Sequence, residues 1–360
     1  MPSKPLRVAL VGTGRISDLH AIEYLQNPAA RITALCDRNP DLARERADAW
    51  ACSEVHIDDD LDRLLARDDV DLVELLLPHH LHLQAALKAI DAGKIVSLQK
   101  PMCISIEEAD RLVAAAEGSG RPFKVFENFI FHPPVMKARA LIEEGAIGEP
   151  LSIRLKSNPG KSRTAWAVPK EADAWRQDRG RSGGGPLVFD DGHHKFALAW
   201  HFMGAPSAVH AFIHQTERPE GGYLDAPSIV SFRFSGNRVG NLEVVHSPEL
   251  EITSLHYAQD DRVEITGTHG VLWINCGHGQ IGKPPPVALY RDGVVTEFTD
   301  VETGWEQGFV RSTRHFLRVL QEGGEPSLTA RQARTVLRFA LAAEESARTG
   351  RAVRLTEDDE

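Results

Sequence analysis

The first 37 residues constrain the fold most, because they run strand, glycine turn, helix, strand and then a single carboxylate. Arg7 to Val11 is a short apolar run of strand type, and Gly12-Thr13-Gly14-Arg15-Ile16-Ser17 follows it directly. A second strand-like run, Arg31 to Cys36, ends on Asp37, about 20 residues past the turn, where a dinucleotide-binding unit holds the adenosine ribose. Gly12 allows the tight turn, Gly14 lets backbone N–H groups approach a pyrophosphate, and a helix N-terminus complements its charge. Ser17 stands where a third glycine usually serves close helix packing, a mild change for so small a residue.

Asp37 also bears on the choice of cofactor. A carboxylate accepts hydrogen bonds from the ribose hydroxyls of NAD but would face the 2′-phosphate of NADP at ~5 Å. At an effective dielectric near 20 that repulsion is roughly 3 kcal/mol per phosphate charge, about two decades in affinity. NAD is therefore expected rather than NADP, although Arg38 beside the carboxylate works the other way. Asp37 also has a plainer reading, as the cap of a helix opening at Asn39-Pro40.

At 360 residues, two domains with ample core are the natural expectation. The net charge of −10 is spread along the chain without a basic patch interleaved with aromatics, which disfavours nucleic acid and anionic membrane as partners. Cys36, Cys52, Cys103 and Cys276 are scattered without metal-ligand spacing, as suits reduced thiols in a cytoplasm. Met-Pro-Ser-Lys-Pro at the N-terminus lacks a hydrophobic signal region, and no apolar run approaches the roughly 18 residues of a membrane span.

Strand and helix signals alternate to about residue 125. Helices are expected at Ile16–Leu25, Pro40–Trp50, Leu81–Ala92 and Ile106–Glu117, and strands at Val70–Leu77, Ile95–Gln99 and Lys124–Phe126. The nearly continuous apolar run Val73–Leu77 suits a parallel strand buried on both faces. Beyond one more helix at Val135–Glu144 come shorter β-rich runs separated by turn signals such as Ser235-Gly236-Asn237 and Asp292-Gly293. That pattern predicts an antiparallel sheet of hairpins. Helices at Phe309–Gln321 and Ala330–Arg348 and a solvated acidic tail close the chain. The expected division is 1–125 for the nucleotide domain and 126–360 for a substrate and oligomerisation domain, with the closing helices packing back toward the first.

Three further places carry chemistry. Gln99-Lys100-Pro101 lies at the carboxyl end of a parallel strand, where open α/β sheets bind ligands; Lys100 reads either as a donor to a substrate oxygen or as an ordinary surface lysine. Asp190-Asp191-Gly192-His193-His194 follows Ser182-Gly183-Gly184-Gly185, which reads as flexible, and opens a helix-like run. If helical, Asp190 and His194 share a face, so the carboxylate could orient an imidazole that takes a hydroxyl proton. Equally, Asp190 could cap the helix while Asp191 and Lys195 form an i,i+4 ion pair. Pro78-His79-His80-Leu81-His82 reads as a loop facing a nicotinamide or as part of a zinc site, and no metal is expected. Trp166, Trp175, Arg176 and Arg163, with Asn128, Asp191, His193 and Lys195, are candidates for a substrate pocket with cationic groups, suited to an acidic or sulfonated sugar.

These motifs, in this order, resemble the glucose-fructose oxidoreductase and inositol dehydrogenase family, Gfo/Idh/MocA, over nearly the whole chain, including 142–150 and 346–351. The resemblance implies an N-terminal Rossmann doubly wound parallel sheet and a C-terminal, mainly antiparallel open sheet flanked by helices. It implies Lys100, Asp190 and His194 as the catalytic group, and cofactor contacts from Gly12, Thr13, Gly14, Arg15, Ile16, Asp37, Arg38, Pro78, His79, His82, Gln99 and Lys100. It also implies a homo-oligomer, dimer or tetramer, formed through the C-terminal sheet. The family's usual Glu-Lys-Pro is here Gln99-Lys100-Pro101, which removes a charge beside Lys100. The implied activity is hydride transfer between a hydroxyl of a sugar, sugar acid or cyclitol and NAD. The alternative is an NAD-recycling glycosidase that oxidises the ring transiently, eliminates the aglycone and reduces the ring again.

Overall fold

The computed structural model describes residues 4–219 and 221–356. The expected acidic tail, 357–360, and the first three residues of the N-terminal run lie outside the described residues. The chain forms two compact units, one running to Asn128 and taking in Phe309–Arg334, the other comprising Phe129–Gly308 and the residues from Thr335 onward.

The first unit alternates β1 (Leu6–Val11), α1 (Ser17–Gln26), β2 (Ala30–Cys36), α2 (Pro40–Ala49), β3 (His56–Asp58), α3 (Leu61–Leu65), β4 (Leu72–Leu75), α4 (His82–Asp91), β5 (Ile95–Leu98), α5 (Ile106–Gly118) and β6 (Phe123–Val125). The strands pair in parallel in the order β3-β2-β1-β4-β5-β6. The order reverses between β1 and β4, so the crevice beyond their carboxyl ends is the ligand position of a doubly wound sheet. Gly12 and Leu76 are the first residues past those two ends. The helices begin where their sequences say they should. Asn39 caps α2 ahead of Pro40, and Ser105 caps α5 by accepting from the Glu108 N–H. The short β3 and α3 were not anticipated, because three and five residues are too few for periodicity to register.

In the second unit, α6 (Pro133–Glu143) precedes β7 (Pro150–Pro159), and α7 (Lys170–Gln177) and α8 (Arg179–Ser182) lead to α9 (Gly192–Met203). The strands β8 (Pro206–Ile213), β9 (Thr216–Glu217), β10 (Tyr223–Leu224), β11 (Ser228–Phe234), β12 (Val239–Val244), β13 (Gln259–Gly267), β14 (Gly270–Ile274), β15 (Val287–Arg291) and β16 (Val294–Phe298) follow. The chain closes with α10 (Glu306–Glu322), α11 (Ala330–Thr349) and β17 (Val353–Arg354). Nine of these strands form one sheet, ordered β16-β15-β14-β13-β7-β12-β11-β8-β17, and β9 and β10 pair apart. Asp292 and Gly293 both take positive φ, the signature of the two-residue hairpin their sequence announces. The one departure from an antiparallel sheet is β7 against β12, which run parallel. Their connection contains a whole helical passage, the long crossover that a parallel pair requires. Along β11, buried Val230, Phe232 and Phe234 alternate with exposed residues, and the ring of Phe339 from α11 packs on Phe232 at 4.9 Å and on Phe196 of α9 at 4.7 Å.

Residues 309–334, which contiguity in sequence assigns to the second domain, belong to the first unit. The reason is packing: Phe316 and Leu317 of α10 lie in one buried cluster with Val8 and Leu10 of β1, Ala21 and Tyr24 of α1, and Ile32 of β2. Arg314 holds the nearly buried Glu23 carboxylate with two hydrogen bonds of 2.9 and 2.8 Å. The side chain of Phe316 is fully buried, so Phe316→Ala is expected to destabilise the first unit by about 3–5 kcal/mol. Urea unfolding followed by circular dichroism measures this, and a loss below about 1 kcal/mol would contradict the placement of α10 in that core.

Candidate active site

The glycine turn is built by contacts that no other residue allows. Gly12 has φ +92°, and a Cβ there would collide with the carbonyl oxygen of Leu76. Thr13 donates its N–H at 2.7 Å and its hydroxyl at 3.0 Å to Oδ2 of Asp37, while Asn39 N–H donates to Oδ1 at 2.9 Å. Asp37 thus ties the end of β2 to the turn after β1, and the cap of α2 is Asn39 rather than Asp37. These three bonds leave one of the roughly four acceptor positions of the carboxylate for a ribose hydroxyl. A Cβ on Gly14 would meet nothing within 4 Å, so this side of the turn is open to a ligand. Buried Ser17, in the third-glycine position, donates to the Gly14 carbonyl at 2.7 Å and locks the turn onto the start of α1. Arg15 and Ile16 are half-buried beside it, and Arg38 is exposed. Turn, helix N-terminus and carboxylate fit a dinucleotide.

The loops after β4 and β5 carry the neighbouring candidates. Pro78 leads into a short 3-10 turn, His79–Leu81. His82 is fully buried, its Nδ1 2.7 Å from the carbonyl oxygen of Pro101 and its Nε2 2.8 Å from that of Leu77. Burial, and then the neighbouring His79, push its pKa down to about 3. The ring lies between the two loops, within reach of one carbonyl from each, and in its neutral form it donates to one of them at a time. Half-buried Lys100 donates its backbone N–H to Oε1 of Gln99 at 2.7 Å. Asn128 is buried, and its Nδ2 has no hydrogen-bond partner, a donor that a ligand could use. Among the described residues no group of three or more His, Cys, Asp or Glu side chains is arranged to hold a metal ion.

In the second unit the segment around Asp190 is helical, as expected, but it enters α9 through a π-helical turn, Pro186–Asp191. The glycines ahead of it are not a flexible hinge. Gly183 takes φ +93°, and a Cβ on Gly184 or Gly185 would run into the Phe189 ring or the Asp225 carboxylate. Buried Asp225 accepts from Leu187 N–H and Val188 N–H, both at 2.7 Å, and Glu344 accepts from Gly185 N–H at 2.9 Å. These carboxylates cap the helical segment and fix its start. Burial, with Glu344 adding to it, raises the Asp225 carboxyl to about 6.

Asp190 accepts from Nε of Arg176 at 2.8 Å, and the Arg176 guanidinium lies 4.3 Å from the Trp175 ring centroid while bonding the Ala172 carbonyl. His194 is buried against Phe129, with ring centroids 4.6 Å apart. Its neighbour His278, at 6.3 Å, packs on Trp305 at 4.7 Å and Tyr257 at 5.3 Å. Trp166 extends this row of rings, meeting His256 at 4.9 Å. His193 is buried, its ring 6.5 Å from that of Phe189, and Arg163 is exposed on a loop.

Asp191 and Lys195, expected to face a pocket, belong to a buried ion cluster. Lys195 Nζ lies 3.2 Å from Asp191 and 2.9 Å from Asp261; Gln259 Nε2 donates to both carboxylates at 2.8 Å, and Asp261 lies 2.7 Å from Nδ1 of His278. Burial alone would lower the Lys195 pKa, but the two carboxylates outweigh it and raise it. Burial alone would likewise raise the Asp261 carboxyl, but Lys195 and His278 hold it far below the ordinary range. Sequence reasoning missed Gln259, Asp261 and His278. The first two alternate along β13, and the unbroken polar run Gln259-Asp260-Asp261-Arg262, ahead of the strand's polar and apolar alternation, was the available signal.

Comparison with known proteins agrees with this architecture. Residues 6–127 match the GFO_IDH_MocA oxidoreductase family, NAD-binding Rossmann fold, and residues 139–355 match that family's C-terminal alpha/beta domain. The chain belongs to the Gfo/Idh/MocA family of oxidoreductases. It is 26% identical to the D-apiose dehydrogenase of Paraburkholderia graminis, covering 98% of this chain and 90% of that one. It is 28% identical to the 2,7-anhydro-N-acetylneuraminate hydratase of Mediterraneibacter gnavus, over 76% of this chain and 69% of that one. A levoglucosan dehydrogenase solved with NADH and levoglucosan shares the fold at a TM-score of 0.81 and 23% identity, covering 98% of this chain and all of that one. No described helix is long and apolar enough to cross a membrane.

The raised Asp225 carboxyl sets a pH test of the helix start. A carboxyl whose folded pKa lies above its unfolded value adds stability that is complete below pH ~4 and lost as pH rises through about 6. Relative to Asp225→Asn, the wild-type protein should therefore lose up to about 3 kcal/mol of stability between pH 4 and 7. Chemical denaturation of both proteins across that range tests this; parallel pH profiles would refute it.

Proposed function

We propose that this chain is an NAD-dependent dehydrogenase acting on a hydroxyl of a sugar, sugar acid or cyclitol. The observation that carries the reading is the pairing, in one chain of this family, of a dinucleotide turn closed by Asp37 with a buried imidazole, His194, set four residues beyond Asp190 on a rigidly capped helix. The D-apiose dehydrogenase and the levoglucosan dehydrogenase among its relatives support a carbohydrate substrate. When bound, the nicotinamide supplies the hydride acceptor. Gly12, Gly14 and the start of α1 would hold the pyrophosphate, and Asp37 the ribose, which favours NAD over NADP.

His194 takes the hydroxyl proton, and Asp190 tunes it, its own charge moderated by Arg176. Lys100 donates to the reacting oxygen and stabilises charge developing on it. The ring row beside His194 offers flat apolar faces of the kind that line carbohydrate-sized pockets. Asn128, with its unused donor, is a candidate for a substrate hydroxyl. Homo-oligomer formation through the nine-stranded sheet is supported by cross-strand Phe212 and Ile229, which are 68% and 42% exposed.

A second reading, net hydrolysis through transient ring oxidation, draws support from the similarity to a hydratase. Anaerobic incubation with NAD and a panel of free sugars, sugar acids and aryl glycosides, reading NADH and aglycone together, separates the two. Stoichiometric NADH from one free sugar is expected; aglycone release without NADH accumulation would establish the glycosidase instead. With the responding sugar, His194→Ala should lower kcat by about 10²- to 10⁴-fold while leaving NAD affinity within about twofold. Equal loss of both would exclude His194 as the base.

A further inference from the structure

Lys100 is backed by a chain of hydrogen bonds whose polarity can be deduced link by link. The backbone N–H of Lys100 can only donate, so the Gln99 atom it meets at 2.7 Å must be the carbonyl oxygen, Oε1. The amide NH2 of Gln99 then points the other way, onto Nε2 of His20 at 2.9 Å, and that nitrogen must accept. The proton of a neutral His20 therefore sits on Nδ1, which faces Oε1 of Glu74 at 2.9 Å. Glu74 completes the set by accepting from the Tyr24 hydroxyl at 2.7 Å and the Ser97 hydroxyl at 3.0 Å.

Every member behind Gln99 is shut off from water. His20, Glu74 and Ser97 are wholly buried, and Tyr24 nearly so. The rings of Phe126 and Phe309 close on His20 at 4.1 and 5.1 Å. Burial is the main cause of a lowered His20 pKa, which keeps the ring neutral. For Glu74, burial alone would raise the carboxyl, but the hydrogen bonds from His20 and Tyr24 and the buried Lys124 ammonium outweigh it and hold it ionised. Lys124 is itself pushed down to about 8, by burial first, and bonds the Ser312 carbonyl and hydroxyl at 3.2 and 3.3 Å.

We propose that Glu74 and His20 are positioning residues for Lys100, acting through Gln99, and that glutamine is required at position 99 because it alone presents a donor to a neutral imidazole and an acceptor to the Lys100 N–H. A glutamate in that place would meet the lone pair of His20 Nε2 with a second lone pair. It would be tolerated only if the contact took up a proton, and His20, already facing the Glu74 carboxylate, is the group that would carry it, as an imidazolium between two carboxylates. The negative charge that the Glu-Lys-Pro pattern places next to the lysine is here withdrawn to Glu74, two links away and connected by uncharged groups. The proposal rests on the reading of Lys100 as the group that meets the reacting oxygen.

The test uses the whole protein and no sugar, so that it and the dehydrogenase reading fail separately. Long-range proton–nitrogen correlation of the histidine rings, assigned with His20→Asn, should show His20 protonated at Nδ1 alone from pH 5 to 8. In Gln99→Glu both ring nitrogens should be protonated at pH 7. A carboxylate at residue 99 favours the ammonium form of its neighbour, so acetic anhydride labelling of Lys100 at pH 8 should slow about tenfold in that variant. His20 protonated at Nε2 in the wild type, or failure of either change in Gln99→Glu, overturns the proposal. Should Gln99→Glu not fold, Gln99→Met keeps the shape without the polar ends. There the Lys100 amide hydrogen should exchange at least about tenfold faster while the amides of β5 are unchanged, and unchanged exchange at Lys100 overturns the proposal.

Discussion

A carboxylate placed inside a protein must be surrounded by donors, and in the first unit that requirement at Glu74 organises much of what lies near the strand ends. Glu74 sits on β4, next to β1 where the sheet order reverses, with no exposure to water. Its three partners come from two different elements, His20 and Tyr24 from α1 and Ser97 from β5. The same helix that presents its N-terminus at the glycine turn is therefore fixed in rotation by hydrogen bonds as well as by apolar packing. The face of α1 that carries Ala21 and Tyr24 into the core cluster also carries His20 to the carboxylate. An apolar residue at position 74 would fill the space but would leave α1 and β5 without a directional tie.

The second unit solves a similar problem at the start of α9. Leu187 and Val188 have backbone N–H groups that a helical turn leaves unpaired, and Asp225 meets both at once. The carboxylate can approach because Gly185 has no Cβ to obstruct it. About two turns farther along, Lys195 is buried between Asp191 and Asp261, so the helix is held to β13 by charge as well as by packing. His194 lies between these two restraints. In the role proposed for it, His194 would gain from a helix that neither slides nor rotates, because a base must meet its hydroxyl at hydrogen-bond distance.

The fold and the local geometry around the candidate site residues were legible in sequence where local chemistry decides them. Gly12, the strand before it and Asp37 announce a dinucleotide turn because backbone conformation and charge leave little choice of residue. The helical run through Asp190 and His194 was visible from its spacing, and the hairpin at Asp292-Gly293 from its turn residues. What stayed hidden depends on partners far away in the chain. Glu74 looked like one polar interruption in an apolar strand, His20 like one more residue of α1, and nothing local connects either with Gln99. The glycines 183–185 read as flexible because the residue that fixes them, Asp225, is some 40 positions away. For helix α10 the sequence suggests packing back toward the first domain but not the core its apolar face enters, since periodicity shows that a helix has such a face and not what the face will cover.

Asp37 shows why a cofactor turn and its carboxylate need to be considered together. In this structure the carboxylate already accepts three hydrogen bonds, two of them from Thr13 in the turn itself. A ribose hydroxyl can add at the remaining position without breaking them, so binding need not dismantle the turn that receives the pyrophosphate. A 2′-phosphate could not do the same. It would add charge beside a carboxylate whose lone pairs are largely committed, and swinging Asp37 away to relieve the repulsion would release Thr13 and loosen the turn. The preference for a bare ribose proposed above would then lie in the coupling between Asp37 and Thr13 as much as in the charge of Asp37. Arg38, exposed and outside that coupling, could offset the charge but could not restore the two bonds to the turn.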